Sequence, residues 1–147
     1  MKPVIAPFQT HDEAALDTLL QACELSTEDI TPEMLEHFRV AHLDKALVGC
    51  AGVDMLGEVG LLRSVAVDEA HRGMGLGKEL VEAAEEHARK EGVRNLYLLT
   101  TTAEAFFADL GYLKLPREEA PAAIAGTQQF AKLCPSSSSF MAKTLRE

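Results

Sequence analysis

Three glycines at alternate positions, Gly73, Gly75 and Gly77, strip every second side chain from the stretch Arg72-Gly73-Met74-Gly75-Leu76-Gly77-Lys78. Backbone N–H groups bared in this way can approach an anion, and a helix starting there adds roughly half a positive charge at its N-terminus. That chemistry suits a pyrophosphate. His71, Arg72 and Lys78 flank the turn, either as counter-charges or as solvated surface charge. Arg63 is the second position that could do chemistry, because a guanidinium inside an apolar strand pattern is unfavourable unless paired. Either it pairs with Glu58, Asp54 or a helix carboxylate, or its planar fork recognises a carboxylate, phosphinate or arsinate on a ligand. Alternation counted back from Val65 and Val67 puts Arg63 on their face.

The spacing of the turn excludes two nucleotide-binding fingerprints. A dinucleotide G-x-G-x-x-G beginning at Gly73 needs glycine where Lys78 stands. A P-loop needs glycine where Arg72 stands and Ser or Thr where Glu79 stands. The run from Arg72 to Gly77 instead resembles the R/Q-x-x-G-x-G/A acyl-CoA loop of the GCN5-related N-acetyltransferases, and Ser64-Val65-Ala66-Val67-Asp68 is similar to that family's preceding strand. The resemblance covers about the last two thirds of the chain.

It implies acetyl-CoA as co-substrate, held by Arg72, Gly73, Met74, Gly75, Leu76, Gly77 and Lys78. It also implies that the pantetheine arm lies along Val65, Ala66 and Val67 between two splayed strands, close to Thr100 and Phe107. Backbone N–H groups near Val65 to Val67 would polarise the thioester carbonyl. Arg63 and Ser64 fall to the acceptor side, roofed by the first two helices and the loop Glu24 to Thr31. The segment Ala103 to Tyr112 is similar to the family's A-x-x-x-Y-x-x-x-G-F run with two departures: Thr100 replaces the usual asparagine, and Phe107 replaces the tyrosine often credited with protonating the thiolate. Tyr97 and Tyr112 read as core. The proton donor is therefore unassigned, and the dipole of the short helix after Thr102 could serve the departing sulfur. Glu58 is the carboxylate nearest the cleft by sequence, as a general base or as a solvated strand-edge residue. YLLTTTAEAFFADLGY and QFAKLCPSSS further resemble the branch associated with bacterial arsenic resistance.

The elements that must position these residues are legible in order. Lys2 to Phe8 reads as a strand, Thr10-x-x-Glu13 as a capping box opening a helix through about Cys23, and Thr31-Pro32 as the start of a short helix. Phe38 to Leu43, Ala46 to Asp54 and the strand from Glu58 are antiparallel neighbours. Leu76, Leu80, Val81, Ala84 and Ala88 form the apolar stripe of a long helix stopped at Gly92. Asn95 to Thr100 follows that crossover and so runs parallel to the fourth strand. Thr101 or Thr102 caps a helix over Ala103 to Leu110. Leu113 to Leu115 and Ser139 to Leu145 close the sheet, around an amphipathic insert from Glu118 to Pro135 and a polar turn over Ser136 to Ser139. The expected fold is α/β (α+β): a mixed, mostly antiparallel sheet of six or seven strands with one splayed parallel pair and about four flanking helices, in a single domain over residues 1–147.

The chain has 147 residues, 47% hydrophobic and 25% charged, with mean hydropathy of −0.01, which suits a soluble globular domain. No apolar run reaches the roughly 20 residues of a spanning helix, and MKPVIAPF is too promptly polar for a signal peptide, so the expected location is cytoplasmic. A formal net charge of −9 opposes binding to nucleic acid or an anionic membrane. Cys23, Cys50 and Cys134 form no C-x-x-C pair and read as reduced thiols, with no metal implied. The expected partner is a small-molecule amine acceptor, with a homodimer as an open assembly. Two alternatives stand beside the enzyme: a non-catalytic acyl-CoA sensor, and a trivalent arsenic site on the three cysteines.

Overall fold

The computed structural model describes residues 2–133 and 138–146. Seven strands, β1 (Val4–Pro7), β2 (Phe38–Leu43), β3 (Ala46–Leu56), β4 (Val59–Val67), β5 (Asn95–Thr100), β6 (Leu113–Leu115) and β7 (Ser139–Thr144), form one sheet in the order β1-β2-β3-β4-β5-β7-β6. Asp44 and Lys45, both with positive φ, make the tight β2–β3 turn, and Gly57 at φ 84° does the same between β3 and β4. These short turns force antiparallel pairing. The β4–β5 connection instead runs through a helix and returns parallel, as the sequence predicts. β7, last in the chain, inserts between β5 and β6.

Helices α1 (Glu13–Ala22), α2 (Pro32–Leu35), α3 (Leu76–Lys90), α4 (Glu104–Asp109) and α5 (Ala122–Ala125) cover the sheet. The α3 stripe Leu76, Leu80, Val81, Ala84 and Ala88 is buried with Ala41, Val53 and Leu62 on one face. Leu16, Leu19 and Leu20 of α1 and Leu35 of α2 pack with Phe38, Val40, Cys50 and Ala66 on the other. Ile124 of α5 joins Leu61 and Phe140.

Helix starts differ from expectation by a residue or two. The capping box opening the first helical turn uses Gln9 and Asp12, not Thr10 and Glu13: the Asp12 carboxylate accepts from the Gln9 N–H at 2.9 Å. Its other oxygen meets His42 Nε2 at 2.8 Å, so Asp12 is buried and fixes the helix start to β2. Thr31 caps α2 as predicted, accepting from the Met34 N–H at 3.3 Å. Before α4, Thr100 rather than Thr101 or Thr102 accepts from the Ala103 N–H, at 3.0 Å. A buried network closes the far end: Glu85 of α3 accepts from the Tyr112 hydroxyl at 2.9 Å and from Lys143 Nζ at 3.1 Å. Burial and the Glu85 charge push the Tyr112 phenol well up, which keeps it neutral and structural.

Candidate active site

β4 and β5 pair only over Val59–Leu61 and Asn95–Tyr97. Beyond Leu61, β4 keeps its ladder with β3 while β5 keeps its ladder with β7, so the parallel pair parts. Into the opening runs a cleft of about 820 Å³, lined by β4 from Leu61 to Val67, the glycine turn, the end of β5, Phe106 and Phe107, and Cys23 to Ser26. The open backbone edge is a property of topology: β3 and β7 hold the far edges of β4 and β5, and where the two strands part the edges that faced each other leave the ladder.

The glycine turn stands at one end of this cleft. Gly73 and Gly75 have φ of 83° and 80°, and Gly75 is the N-cap of α3. A Cβ added at either meets no heavy atom within 4 Å, so the space over the turn is open. Gly77 serves packing instead, since its Cβ would lie 3.3 Å from the Phe106 ring. His71, Arg72 and Lys78 line the cleft here. Arg72 Nε donates to the Val67 carbonyl at 2.9 Å and His71 Nδ1 meets Asp68 at 2.9 Å, so both are braced against the strand end. Met74 does not line the cleft and is 60% exposed. An anion at the turn would meet bare N–H groups, the α3 N-terminus and the side chains of Arg72, Lys78 and His71.

At the other end β4 bulges. Cys50 pairs with Ala66 and Gly52 with Arg63, so Ser64 and Val65 together face Ala51, and Ser64 adopts φ 55°. The bulge resets alternation and corrects the face assigned to Arg63. Arg63 shares the face of Ala66, toward α1 and α2, whereas Val65 and Val67 pack with the α3 cluster. There the guanidinium is 2% exposed and paired with Asp29, on the loop between α1 and α2, through both Nη atoms; the Nη2–Oδ1 distance is 2.7 Å. Asp54 lies 3.4 Å from Nη1, and Arg63 Nε donates to Ser64 Oγ at 3.1 Å. Although burial opposes its charge, the bonds to Asp29 and the field of Asp54 hold the Arg63 pKa above the ordinary value. Of the partners considered from sequence, Asp54 is found; Asp29 is the one sequence reasoning missed.

Burial pushes the Asp54 carboxyl up to about 6, with Arg63 opposing and Asp29 reinforcing that shift. Its Oδ1 is buried with no hydrogen-bond partner among the described residues. A pKa raised above the unfolded value of about 3.9 means that Asp54 favours folding below that pH. This contribution disappears as pH rises through about 6. The stability of wild type minus that of Asp54→Asn, from denaturant titrations, is expected to fall by on the order of 2 kcal/mol between pH 4 and pH 7. A pH-independent difference would contradict the assignment.

The remaining predicted residues divide. Ser64, Val65, Ala66, Val67, Leu76, Thr100 and Phe107 all line the cleft. Phe107 is buried and edge-on to Tyr112 at 5.8 Å. Glu58 does not: it is exposed in the β3–β4 turn, and β4 at about 3.3 Å per residue separates it from the glycine turn by its whole length. A catalytic role for Glu58 is corrected on that ground. Cys50 is buried, donates to the Ser64 carbonyl at 3.1 Å, and has its thiol pushed up by burial, while Cys23 lines the cleft. Cys134, with the polar turn at 136–137, lies outside the described residues. Among the described residues no group of three or more His, Cys, Asp or Glu could hold a metal, and no helix is long and apolar enough to cross a membrane.

A mixed sheet parted at its one parallel pair, with a glycine turn at the mouth, defines the fold of the GCN5-related N-acetyltransferases. The Acetyltransferase (GNAT) family model matches residues 6–112, and the chain belongs to that family. The match reaches back through α1 and α2, further than the motifs visible in sequence. A similar curated relative is an amino-acid acetyltransferase of Pseudomonas paraeruginosa, 30% identical over 108 residues, which are 72% of this chain and 25% of that protein. The chain thus spans a quarter of the length of the curated relatives it matches. Among solved structures, N-acetylglutamate synthase from Neisseria gonorrhoeae, complexed with coenzyme A and N-acetyl-glutamate, superposes with a TM-score of 0.86 at 19% identity, over 100% of this chain and 36% of that one. A Mycobacterium tuberculosis protein in complex with CoA superposes at 0.81 with 24% identity, over 97% and 99% of the two chains. At these identities the likeness is one of fold.

Proposed function

We propose that the chain is an acetyl-CoA-dependent N-acetyltransferase acting on the amine of a small, amino-acid-like, anionic acceptor. The observation that carries this reading is the parting of β4 from β5 between two built ends, the open glycine turn at one and the Arg63–Ser64 bulge at the other. The amino-acid acetyltransferase relatives and the coenzyme A in the neighbouring structures support it.

Acetyl-CoA would supply an activated thioester: the deprotonated acceptor nitrogen bonds to its carbonyl carbon, the carbon–sulfur bond breaks to release thiolate, and the nitrogen's surplus proton passes to water. Gly73, Gly75 and the α3 N-terminus would hold its pyrophosphate, with His71, Arg72 and Lys78 as counter-charges. The free edge of β4 beyond Leu61 orients the arm and presents N–H groups where charge develops on oxygen. Phe107 and Leu98 exclude water from one side. Arg63 lines the cleft while its carboxylate partners Asp29 and Asp54 do not, so the acceptor end of the cleft is backed by a buried, braced ion cluster. Resemblance to the arsenic-resistance branch adds phosphinate- and arsinate-bearing amino acids to the acceptors to try first.

Phe107 cannot donate a proton, and Tyr112 is committed to Glu85. A thiol with a pKa near 8.5 leaves tolerably as thiolate at neutral pH. Phe107→Tyr is therefore expected to change kcat by less than about tenfold, below the 10²- to 10⁴-fold of a working general acid. Rates at saturating acceptor from pH 6 to pH 10 check this; a gain of about a hundredfold with a limb near the tyrosine pKa of about 10 would overturn it.

Those same features, a phenylalanine in the tyrosine position and Glu58 remote from the cleft, favour the second reading, an acyl-CoA sensor without turnover. Release of free thiol from acetyl-CoA separates the two. The enzyme releases thiol steadily when an amino acid is present, whereas a sensor binds acetyl-CoA and releases none.

A further inference from the structure

Two serine hydroxyls line the cleft with no bonding partner among the described residues. Ser26 Oγ, on the loop between α1 and α2, and Ser138 Oγ, just ahead of β7, are both buried without a hydrogen-bond partner among the described residues, and Ser138 is only 6% exposed. A buried hydroxyl left unsatisfied is unfavourable, so a pair of them in one cleft is a cost the free protein carries. Their placement is not arbitrary. Ser26 is three residues from Asp29, whose carboxylate is gripped by Arg63, so the loop that carries it is fixed over the bulge. Ser138 adjoins Ser139, which pairs with Thr100 at the open end of β5. The two hydroxyls thus come from opposite walls, one anchored to β4 and one to β5, and Arg63 lines the same space.

We infer that Ser26 and Ser138 are acceptor-binding residues, whose hydroxyls donate to the carboxylate oxygens of the amino-acid acceptor beside the Arg63 guanidinium. The fork of Arg63 is filled by Asp29, with Asp54 at 3.4 Å, so its own hydrogen bonds go elsewhere. Neutral hydroxyls provide the directional bonds that the guanidinium cannot, and an O–H bond to an ionised oxygen is of the stronger kind. This assignment rests on the acetyl-transfer reading for the nature of the acceptor, but its test does not need turnover.

The test is calorimetric binding of the common L-amino acids, each beside its decarboxylated amine, to the complex of the full chain with CoA, for wild type, Ser26→Ala and Ser138→Ala. For the amino acids that wild type binds, each substitution is expected to weaken binding about tenfold, while affinity for the matched amine and for CoA is unchanged. The melting temperature of each free variant is expected to rise, because an unsatisfied hydroxyl has been removed; a serine with a structural role would lower it. Unchanged amino-acid affinity in both variants, equal weakening for acid and amine, or a lowered melting temperature would overturn the assignment. Wild type that binds no amino acid overturns it too. Wild type that binds an amino acid yet releases no thiol from acetyl-CoA overturns only the acetyl-transfer reading.

Discussion

A Gly75→Val variant is expected to fold and to show no rise in melting temperature on addition of acetyl-CoA. In wild type, free ligand at a hundredfold its dissociation constant stabilises the native state by about 2.7 kcal/mol. Gly75 begins α3 at φ 80°, and its missing side chain leaves open space above the turn. Valine there would strain the backbone by about 1–2 kcal/mol and fill the volume through which N–H groups reach a phosphate. Gly57→Val separates these two effects. Gly57 has φ 84° and equally open surroundings, but sits in the β3–β4 turn away from the cleft. It should lose similar stability and keep the full ligand-induced rise. An undiminished rise in Gly75→Val would refute the phosphate site.

Arg63→Met is expected to lower unfolding free energy by about 3–5 kcal/mol, because it strands two carboxylates in the interior. Arg63 is 2% exposed in its side chain, Asp29 5% and Asp54 9%, so water reaches none of them well. Adding Asp29→Asn and Asp54→Asn to Arg63→Met should return much of the loss, since replacing all the charges removes the uncompensated ones. The α1–α2 loop should also loosen in Arg63→Met, giving faster amide exchange over residues 24–31. Denaturant titration of the single and triple variants decides it; a loss under about 1 kcal/mol for Arg63→Met would place the guanidinium among solvated surface pairs.

What could be read in advance divides along physical lines. The glycine turn, the α3 stripe and the parallel return of β5 are local or follow from one crossover, and all appear where the residues put them. Arg63 shows the limit. Its burial and need for a partner follow from its neighbours in sequence, but its face does not, because the bulge at Ser64 is set by the meeting of β4 with β3. Asp29 pairs with it across 34 positions, a distance no periodicity reports. The start of α4 illustrates the same point on a smaller scale: Thr101 and Thr102 read as caps, yet the N-cap is Ala103 with no side-chain cap, and Thr100 at the end of β5 accepts from the Ala103 N–H instead. Ser26 and Ser138 lie in two stretches the sequence does mark, the acceptor-side loop Glu24 to Thr31 and the polar turn Ser136 to Ser139, but which hydroxyl goes unpartnered is recognised only by what surrounds it. Glu58 looked close to the cleft because the strand that carries it leads there, yet it lies at the wrong end.

The claim that this cleft transfers an acetyl group is tested most directly by following the nitrogen. Wild-type protein is incubated with acetyl-CoA bearing an isotopic label in its acetyl group and with an equimolar mixture of amino acids, and the products are separated by mass. The account predicts that label appears on the amine of one or a few amino acids in step with free thiol, and that Gly75→Val forms neither product. Label that stays in acetyl-CoA throughout, with the protein folded and its melting temperature raised by the ligand, would contradict the account and leave a protein that binds acetyl-CoA without using it.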